Sequence, residues 1–532
     1  MGTLLFRGAT VVDGSGAPGV RADVLVRDGM VAELGTGLIG RQIVDADGLV
    51  LAPGFIDMHA HSDLQLLVEP AHPSRVTQGV TCEVLGQDGL SYAPVDERTL
   101  APLRRQLAGW NGDPDGFDWN WRTVGQFLDR LDAAGTAVNA CYLVPHGTLR
   151  ALVLGWERRA PGPGELDRMR ALLAQGLAEG AVGMSSGLSY TPGMYADTAE
   201  LVALCEVVAA HGGYHSPHQR SYGEGALAGY AEMVEIALAT GCPLHLAHAT
   251  MNFGVNRGRA GELLALLDAA VAAGCDLTLD SYPYLPGSTT LAALLPSWAA
   301  EGGPGATLAR LRDAGQRERI RQAWEERGSD GCHGVTVDWA TVQISGVRTV
   351  QSAGVVGRTV AELARERGTS GTEVCFELLQ ADELGTTILQ HVGHEENVRA
   401  IMRHSAHTAG SDGLLVGARP HPRGWGTFAR YLGHYARELG VLTVEQAVHR
   451  MTGRPARRLR LVRRGLVRPG YHADLVLFDP ATVADAATFE DPRRPAVGIR
   501  HVYVNGTAVL RDARPTGARP GRALRRTEGG TQ

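Results

Sequence analysis

Lysine is absent from the sequence, so all 51 basic residues are arginines and no side-chain amine is available anywhere in the chain. Paired thiols are missing too. The seven cysteines (Cys82, Cys141, Cys205, Cys242, Cys275, Cys332 and Cys375) are odd in number and widely spaced, with no C-x-x-C among them. That argues against a disulfide framework and for reduced, buried thiols in a cytoplasmic protein. The N-terminus lacks a basic stretch followed by a long apolar run, and no segment reaches the ~18 uncharged apolar residues of a membrane span. Neither a signal peptide nor a membrane partner is expected. An excess of positive charge is also lacking. The formal net charge is −6, whereas a nucleic-acid binder carries a basic domain or stripe.

What is present is a soluble globular composition, 44% hydrophobic and 20% charged, over 532 residues, enough for a large domain and a smaller partner. Both ends read as short strands. TLLFRGATVV (3–12), ADVLVRDGMVAEL (22–34) and RQIVDADGLVLAP (41–53) open the chain; ADLVLFDP (473–480) and GIRHVYVNGTAVLRD (498–512) answer them at the far end. The middle alternates. Helical stretches at 163–180, 197–212, 229–241 and 258–274 are each followed by a short apolar run, and Gly180, Gly212, Gly241 and Gly274 stand where helices end. Helix followed by strand, repeated this often, predicts a parallel sheet closed into a (β/α)8 barrel of the TIM type. Residues 286–350 break the rhythm and read as an insertion, and the Gly-, Pro- and Arg-rich tail 513–532 reads as frayed.

The chemistry starts in LAPGFIDMHAHSD (51–63). Residues i and i+2 of a strand share a face, so His59 and His61 point the same way, with Asp57 and Phe55. Two imidazoles at a strand end suit a divalent transition metal such as zinc. His218 ends GYHSPH, with His215 as a rival, and His248 ends CPLHLAH, where strand parity turns His245 toward the helices as a packing residue. Strand ends in a barrel converge on one face, which brings these histidines together. Asp412, in AHTAGSDGLL, follows a small-residue strand; a carboxylate there reaches the metal and accepts a proton from water, while the bland alternative is a Ser-Asp-Gly turn.

Together, PGFIDMHAHSD, His218, His248 and GSDG (410–413) look like the amidohydrolase superfamily. GVTCEVLGQDGLSYAP (79–94), PHGTLR (145–150), GMSSGLSYTPGMYA (183–196), SYPYLPGST (281–289) and HPRGWGTFARYLG (421–433) resemble, more narrowly, the N-acyl-D-amino-acid deacylases, or D-aminoacylases. The resemblance runs collinearly over nearly the whole chain. It implies a barrel (57–466, with the late insertion) beside a small β-sandwich domain built from both chain ends (1–56 and 467–512).

Carried over by position, His59, His61 and Asp412 match one metal site, and His218 and His248 match a second, tighter zinc site. The family's remaining ligand is a cysteine in a Gly-Asn-Cys-Gly turn. Here the turn is Gly86-Gln87-Asp88-Gly89, and Asp88 stands in the cysteine's place. An aspartate ligates zinc through oxygen and is able to bridge two cations. Many hydrolases of the superfamily bridge their metals with a carbamylated lysine, which this chain cannot supply. The resemblance implies one tightly bound zinc and room for a second, weaker divalent cation. Tyr190, Tyr282, Ser288 and Arg423 match substrate-binding positions, Arg423 as a two-pronged grip on a carboxylate. A lysine that the family often carries is Thr250 here, and His146 falls at a position near the site.

The implied activity is zinc-dependent hydrolysis of an N-acyl-D-amino acid, or a related D-configured amide, with Asp412 as general base and then acid. The partner is a small-molecule amide, and homo-oligomers are compatible with it. Two alternatives stand beside this reading: a mononuclear deaminase of the same superfamily, with a glutamate proton donor, and a binding protein whose site has lapsed through the changes at Asp88 and Thr250.

Overall fold

The computed structural model describes residues 2–532. Eight parallel strands lie in chain order at its centre. They are β1 (Phe55–Asp57), β2 (Val80–Leu85), β3 (Asn139–Pro145) and β4 (Gly183–Gly187), then β5 (Tyr214–His218), β6 (Leu244–Leu246), β7 (Leu277–Ser281) and β8 (His407–Ala409). The ring closes between its first and last members. The Met58 amide donates to the Ala409 carbonyl at 3.2 Å, and the Asp412 amide donates to the His59 carbonyl at 2.8 Å. The expected (β/α)8 barrel is therefore present.

Leu173, Leu177, Leu201, Leu204, Met233, Leu263 and Leu267 are buried between the helices and the sheet. The spacing of three or four between such residues within a helix is what made those helices legible. Ile56, Met58, Cys82, Val84, Cys141, Leu143, Val182 and Tyr214 fill the inside of the barrel at the end where the strands start. That apolar plug leaves only the opposite, C-terminal end open for chemistry.

The two chain ends build one nine-stranded sheet. Val50–Pro53 pairs antiparallel with Leu475–Phe478, with Leu51 opposite Leu477. Leu475 and Leu477 face the small domain's own core with Phe6, Val24 and Tyr503, while Val476 and Phe478 face the barrel. Both faces are covered, so LVLF is continuously apolar rather than alternating.

Two boundaries differ from the expectation. The insertion runs well beyond residue 350. Its antiparallel sheet joins Gly287–Thr290 and Val342–Gly346 to Thr387–Gln390, and Leu291, Trp324, Ile344, Phe376 and Ile388 form a core separate from the barrel's. The helices Val360–Arg367 and Gly371–Ala381 restore a helical rhythm in the sequence but pack on this sheet. Periodicity reports a buried face, not what buries it.

The tail, expected to be frayed, is packed. Leu524 is 1% exposed and joins the apolar plug. The Ala140 amide donates to Arg522 at 2.9 Å, and the Leu524 amide donates to Ala140 at 2.7 Å. Gly, Pro and Arg dominate its composition, but a leucine buried in the barrel floor and these backbone bonds hold it in place.

Candidate metal centre

Strand β1 ends at Asp57, before either histidine. His59 and His61 lie in the bend beyond it, where Ala60 bridges to Gly413, and their rings meet at a centroid distance of 5.2 Å. The shared-face argument therefore reaches the right pair by the wrong geometry. Phe55 packs outward on Phe428 at 5.9 Å, and Asp57 holds the loop after β8 by accepting from the Ser411 amide (2.8 Å) and hydroxyl (2.6 Å). Parity also misassigned His245. Leu244 and Leu246 face the helices, and His245 points inward, its Nε2 3.0 Å from Asp280. His248 reaches the same interior only because the chain turns after β6. His215 is bound to Ser186 at 2.8 Å instead, and it is His218 that joins the cluster.

The candidate donors converge in two sets that share one residue. His59, His61, Asp88 and Asp412 form the first; Asp88, His218 and His248 form the second. Asp88 divides its two oxygens between them. Oδ1 lies 3.4 Å from His59 Nε2 and 3.3 Å from His248 Nε2; Oδ2 lies 3.4 Å from His61 Nε2 and 3.5 Å from His218 Nδ1. The carboxylate thus faces one histidine of each pair with each oxygen. In a chain without lysine, this carboxylate is the residue that stands between the two histidine pairs. Cys82, six residues earlier, is locked in the barrel plug.

Asp412 closes the first set, with Oδ1 3.2 Å from His61 Nε2 and 3.8 Å from His59 Nε2. Asp88, His248 and Asp412 all have positive φ (54°, 30° and 48°). Left-handed backbone at three non-glycine donors marks a site whose surroundings hold it against local preference.

The donors fit a zinc ion. Both ring nitrogens of His59 are buried without a hydrogen-bond partner, a costly state that a cation relieves. Its Nδ1 points toward Asp280 Oδ2 at 3.6 Å, the arrangement by which a carboxylate orients a metal-binding imidazole. Burial opposes a charge on His59, yet Asp88 and Asp280 raise its pKa well above the usual value. Burial pushes Asp88 up, but His59, His248 and His218 hold it well below the carboxylate range. Burial likewise opposes the ionisation of Asp412, which Arg423 and His61 keep far below its usual value. Metal binding in such a set is coupled to proton release.

Tyr190, Tyr282 and Ser288 line the cavity above these donors, with Thr250, Asn252, Phe253 and His333. Tyr190 packs on His218 at 4.7 Å. Arg423 does not line it. Its Nη2 lies 2.9 Å from Asp412 Oδ2, and its guanidinium sits 4.4 Å over the Tyr282 ring. His146 stands away from the donors, 2.7 Å from Glu200. Sequence reasoning missed Asp280, Ser189 and His333. Asp280, in CDLTLDSYPY, is the next-to-last residue of β7, so the logic of strand ends could have found it. Ser189 meets His218 Nε2 through its hydroxyl. His333 comes from the insertion, where no local pattern marked it; burial, then His218 and His248, push its pKa down to about 3, so it is a neutral wall.

A buried ion cluster supports the site from below. Glu83 accepts from His72 (3.0 Å) and from Arg75, and Arg75 donates to the Gly424 carbonyl at 2.7 Å, beside Arg423. Burial opposes its ionisation, but His72 and Arg75 lower the Glu83 pKa from 4.5 to about 2. The folded value lies below the unfolded one. Its contribution, roughly 3 kcal/mol, is therefore complete above pH ~4.5 and lost as pH falls toward ~2. Glu83→Gln is expected to destabilise the protein at neutral pH and to flatten the decline between those limits, as read from urea melts at successive pH values.

The comparisons with known proteins agree with this geometry. Residues 42–510 match the model of the amidohydrolase family, Amidohydro_3. The chain is 38% identical over 526 residues to the D-aminoacylase of Alcaligenes xylosoxydans xylosoxydans, covering 98% of each. It is 36% identical over 528 residues to the N-acyl-D-glutamate deacylase of the same organism, covering 98% of this chain and 96% of that one. A solved D-aminoacylase with a binuclear metal centre superposes with a TM-score of 0.83 at 37% identity, over 98% of this chain and 99% of the other. The N-acyl-D-glutamate deacylase of Bordetella bronchiseptica was solved with zinc and a phosphonate that mimics the tetrahedral intermediate. It matches at 34% identity with a TM-score of 0.83, over 98% of this chain and 99% of that one. By its sequence and its fold, the chain belongs to the amidohydrolase family.

Proposed function

We propose that the protein is a zinc-dependent deacylase that hydrolyses the amide bond of N-acyl-D-amino acids, or of a related D-configured amide, to a carboxylic acid and a free D-amino acid. The observation that carries this reading is Asp88, whose two oxygens join both histidine pairs into one centre. Its near-full-length likeness to D-aminoacylase supplies the substrate class.

His59, His61, His218, His248, Asp88 and Asp412 would hold the metal. A zinc ion in this donor set acts as a Lewis acid toward a carbonyl and acidifies water. Asp412 Oδ1 takes one proton from the attacking water as its oxygen bonds to the carbonyl carbon. Arg423 grips Oδ2 and keeps the carboxylate ionised and oriented. Asp412 then delivers that proton to the amide nitrogen as the C–N bond breaks. Arg423 works through Asp412 and Tyr282; the hydroxyls of Tyr190, Tyr282 and Ser288 bind the substrate's polar groups. A deaminase of the mononuclear kind needs a glutamate proton donor, and among the described residues none lines the cavity. A cytoplasmic location is supported by seven cysteines that are all free and buried, and no helix is long and apolar enough to cross a membrane.

The test is a panel of N-acetyl-D- and N-acetyl-L-amino acids with chiral detection of the released amine. Turnover of D but not L substrates is expected, and turnover of neither sinks the reading. Within the D series, glutamate and aspartate are expected to fall at least about tenfold below neutral side chains in kcat/KM. The cavity wall carries no arginine among the described residues, so a second carboxylate is desolvated without a partner.

A further inference from the structure

At the end of the barrel opposite the metal donors, the starts of β5 to β8 rim a second cavity of about 520 Å³. That volume falls within the range of small-molecule sites. Five arginines line it: Arg454, Arg457, Arg458, Arg460 and Arg526. Asp276 is the only carboxylate on its wall among the described residues, and Arg458 takes it at 2.8 Å. Arg454 has only a neutral acceptor, the His407 carbonyl at 2.8 Å. Among the described residues, Arg457, Arg460 and Arg526 have no ion-pair partner. The chain as a whole is acidic, at −6, so this is a local concentration and not a bulk excess.

The guanidiniums also converge. A side-chain carbon on Gly212 would lie 2.9 Å from Arg526 Nη2 and 3.5 Å from Arg460 Nη1, so the glycine leaves room for both heads. The crowding is felt electrostatically. Burial, then Arg450 and Arg457, bring Arg454 down to about 10, and burial with Arg460 lowers Arg526.

We propose that this cavity binds a compact polyanion of the pyrophosphate or polyphosphate type, either free or as the phosphate tail of a nucleotide. Guanidinium forks match phosphate oxygens in pairs, and several forks at fixed spacing need several phosphate groups to satisfy them. The wall offers no aromatic ring among the described residues, so a nucleobase finds no stacking partner there. The site joins the segment Gly453–Arg458 and the C-terminal hairpin at Arg526 to the barrel floor, so its occupant stabilises the whole lower end.

Isothermal titration of the zinc-loaded protein with tripolyphosphate in low-salt buffer tests this independently of the catalytic reading. One site per chain is expected. The double variant R457Q/R460Q changes two exposed side chains and is expected to leave the fold intact by circular dichroism. It is expected to bind at least about 30-fold more weakly. Arg526→Gln provides a second variant with the same expected direction. Zinc chelation by the probe acts equally on all these proteins, so the difference between them is the reading. ATP in place of tripolyphosphate separates the two sources: equal affinity supports the free polyanion, and tighter binding supports the nucleotide. No site in the wild-type protein, equal binding by wild type and variants, or the same response to sulfate at matched ionic strength overturns the proposal.

Discussion

Asp412→Asn is expected to lower kcat by about a thousandfold or more while one equivalent of zinc stays bound. Asparagine keeps the shape and one carbonyl oxygen, so Arg423 retains an acceptor at the place it now reaches over 2.9 Å. What disappears is the ability to take and return a proton, a function worth about 10² to 10⁴ in rate, together with the negative charge facing His61. Asp412 belongs to only one of the two donor sets, whereas Asp88, His218 and His248 form the other without it. Metal analysis after dialysis and steady-state kinetics on the best D substrate separate the two effects. A variant with near-wild-type kcat removes Asp412 from the proton path. One that has lost all its zinc shows that the residue holds the metal more than it moves protons.

The second large effect concerns Asp88. Asp88→Ala is expected to weaken zinc binding more than about a hundredfold and to abolish turnover, because a single substitution subtracts a donor from both sets. The backbone cost is small by comparison. Asp88 sits at φ 54°, where alanine loses about 1 kcal/mol relative to a residue that tolerates the left-handed region. Competition with a chelator of known affinity measures the loss. Asp88→Cys is the informative companion. A thiolate offers both histidine pairs one atom where the carboxylate offers two, so this variant is expected to keep one zinc tightly and to bind the second cation more weakly than the wild type. If Asp88→Ala retains a full equivalent of zinc, the shared carboxylate is not what joins the histidine pairs.

The donor types were written in the chain: HxH at 59–61, histidines at two strand ends, an aspartate before a glycine, and no lysine to bridge them. The barrel was legible for the same local reason. Its helices carry their apolar residues at regular spacing and end at glycines whose left-handed backbone the turn requires, such as Gly241 at φ 66°. Both β-rich ends announced a sheet, although not that Leu51 would lie opposite Leu477.

Tertiary structure decided whatever depends on what a face meets. Strand parity misplaced His245 because it was counted from His248, which lies past the end of β6, and His59 and His61 likewise lie past the end of β1, where the chain bends. Composition failed at the tail because Leu524 joins Ala456 and Leu459 in the apolar cluster that closes the barrel floor. The helices at 360–381 kept their rhythm but served the insertion's sheet. Arg423 looked like a grip for substrate and lies instead against Asp412, a partner 11 positions away that the path of the chain from β8 to the helix at Arg423 brings within 2.9 Å. The sequence by itself determined the chemistry available to this protein, because side-chain type and local period are properties of neighbours in the chain. Only the fold decided that Asp88 is shared between two sets of ligands, because distances between residues remote in sequence are set by the closure of the barrel.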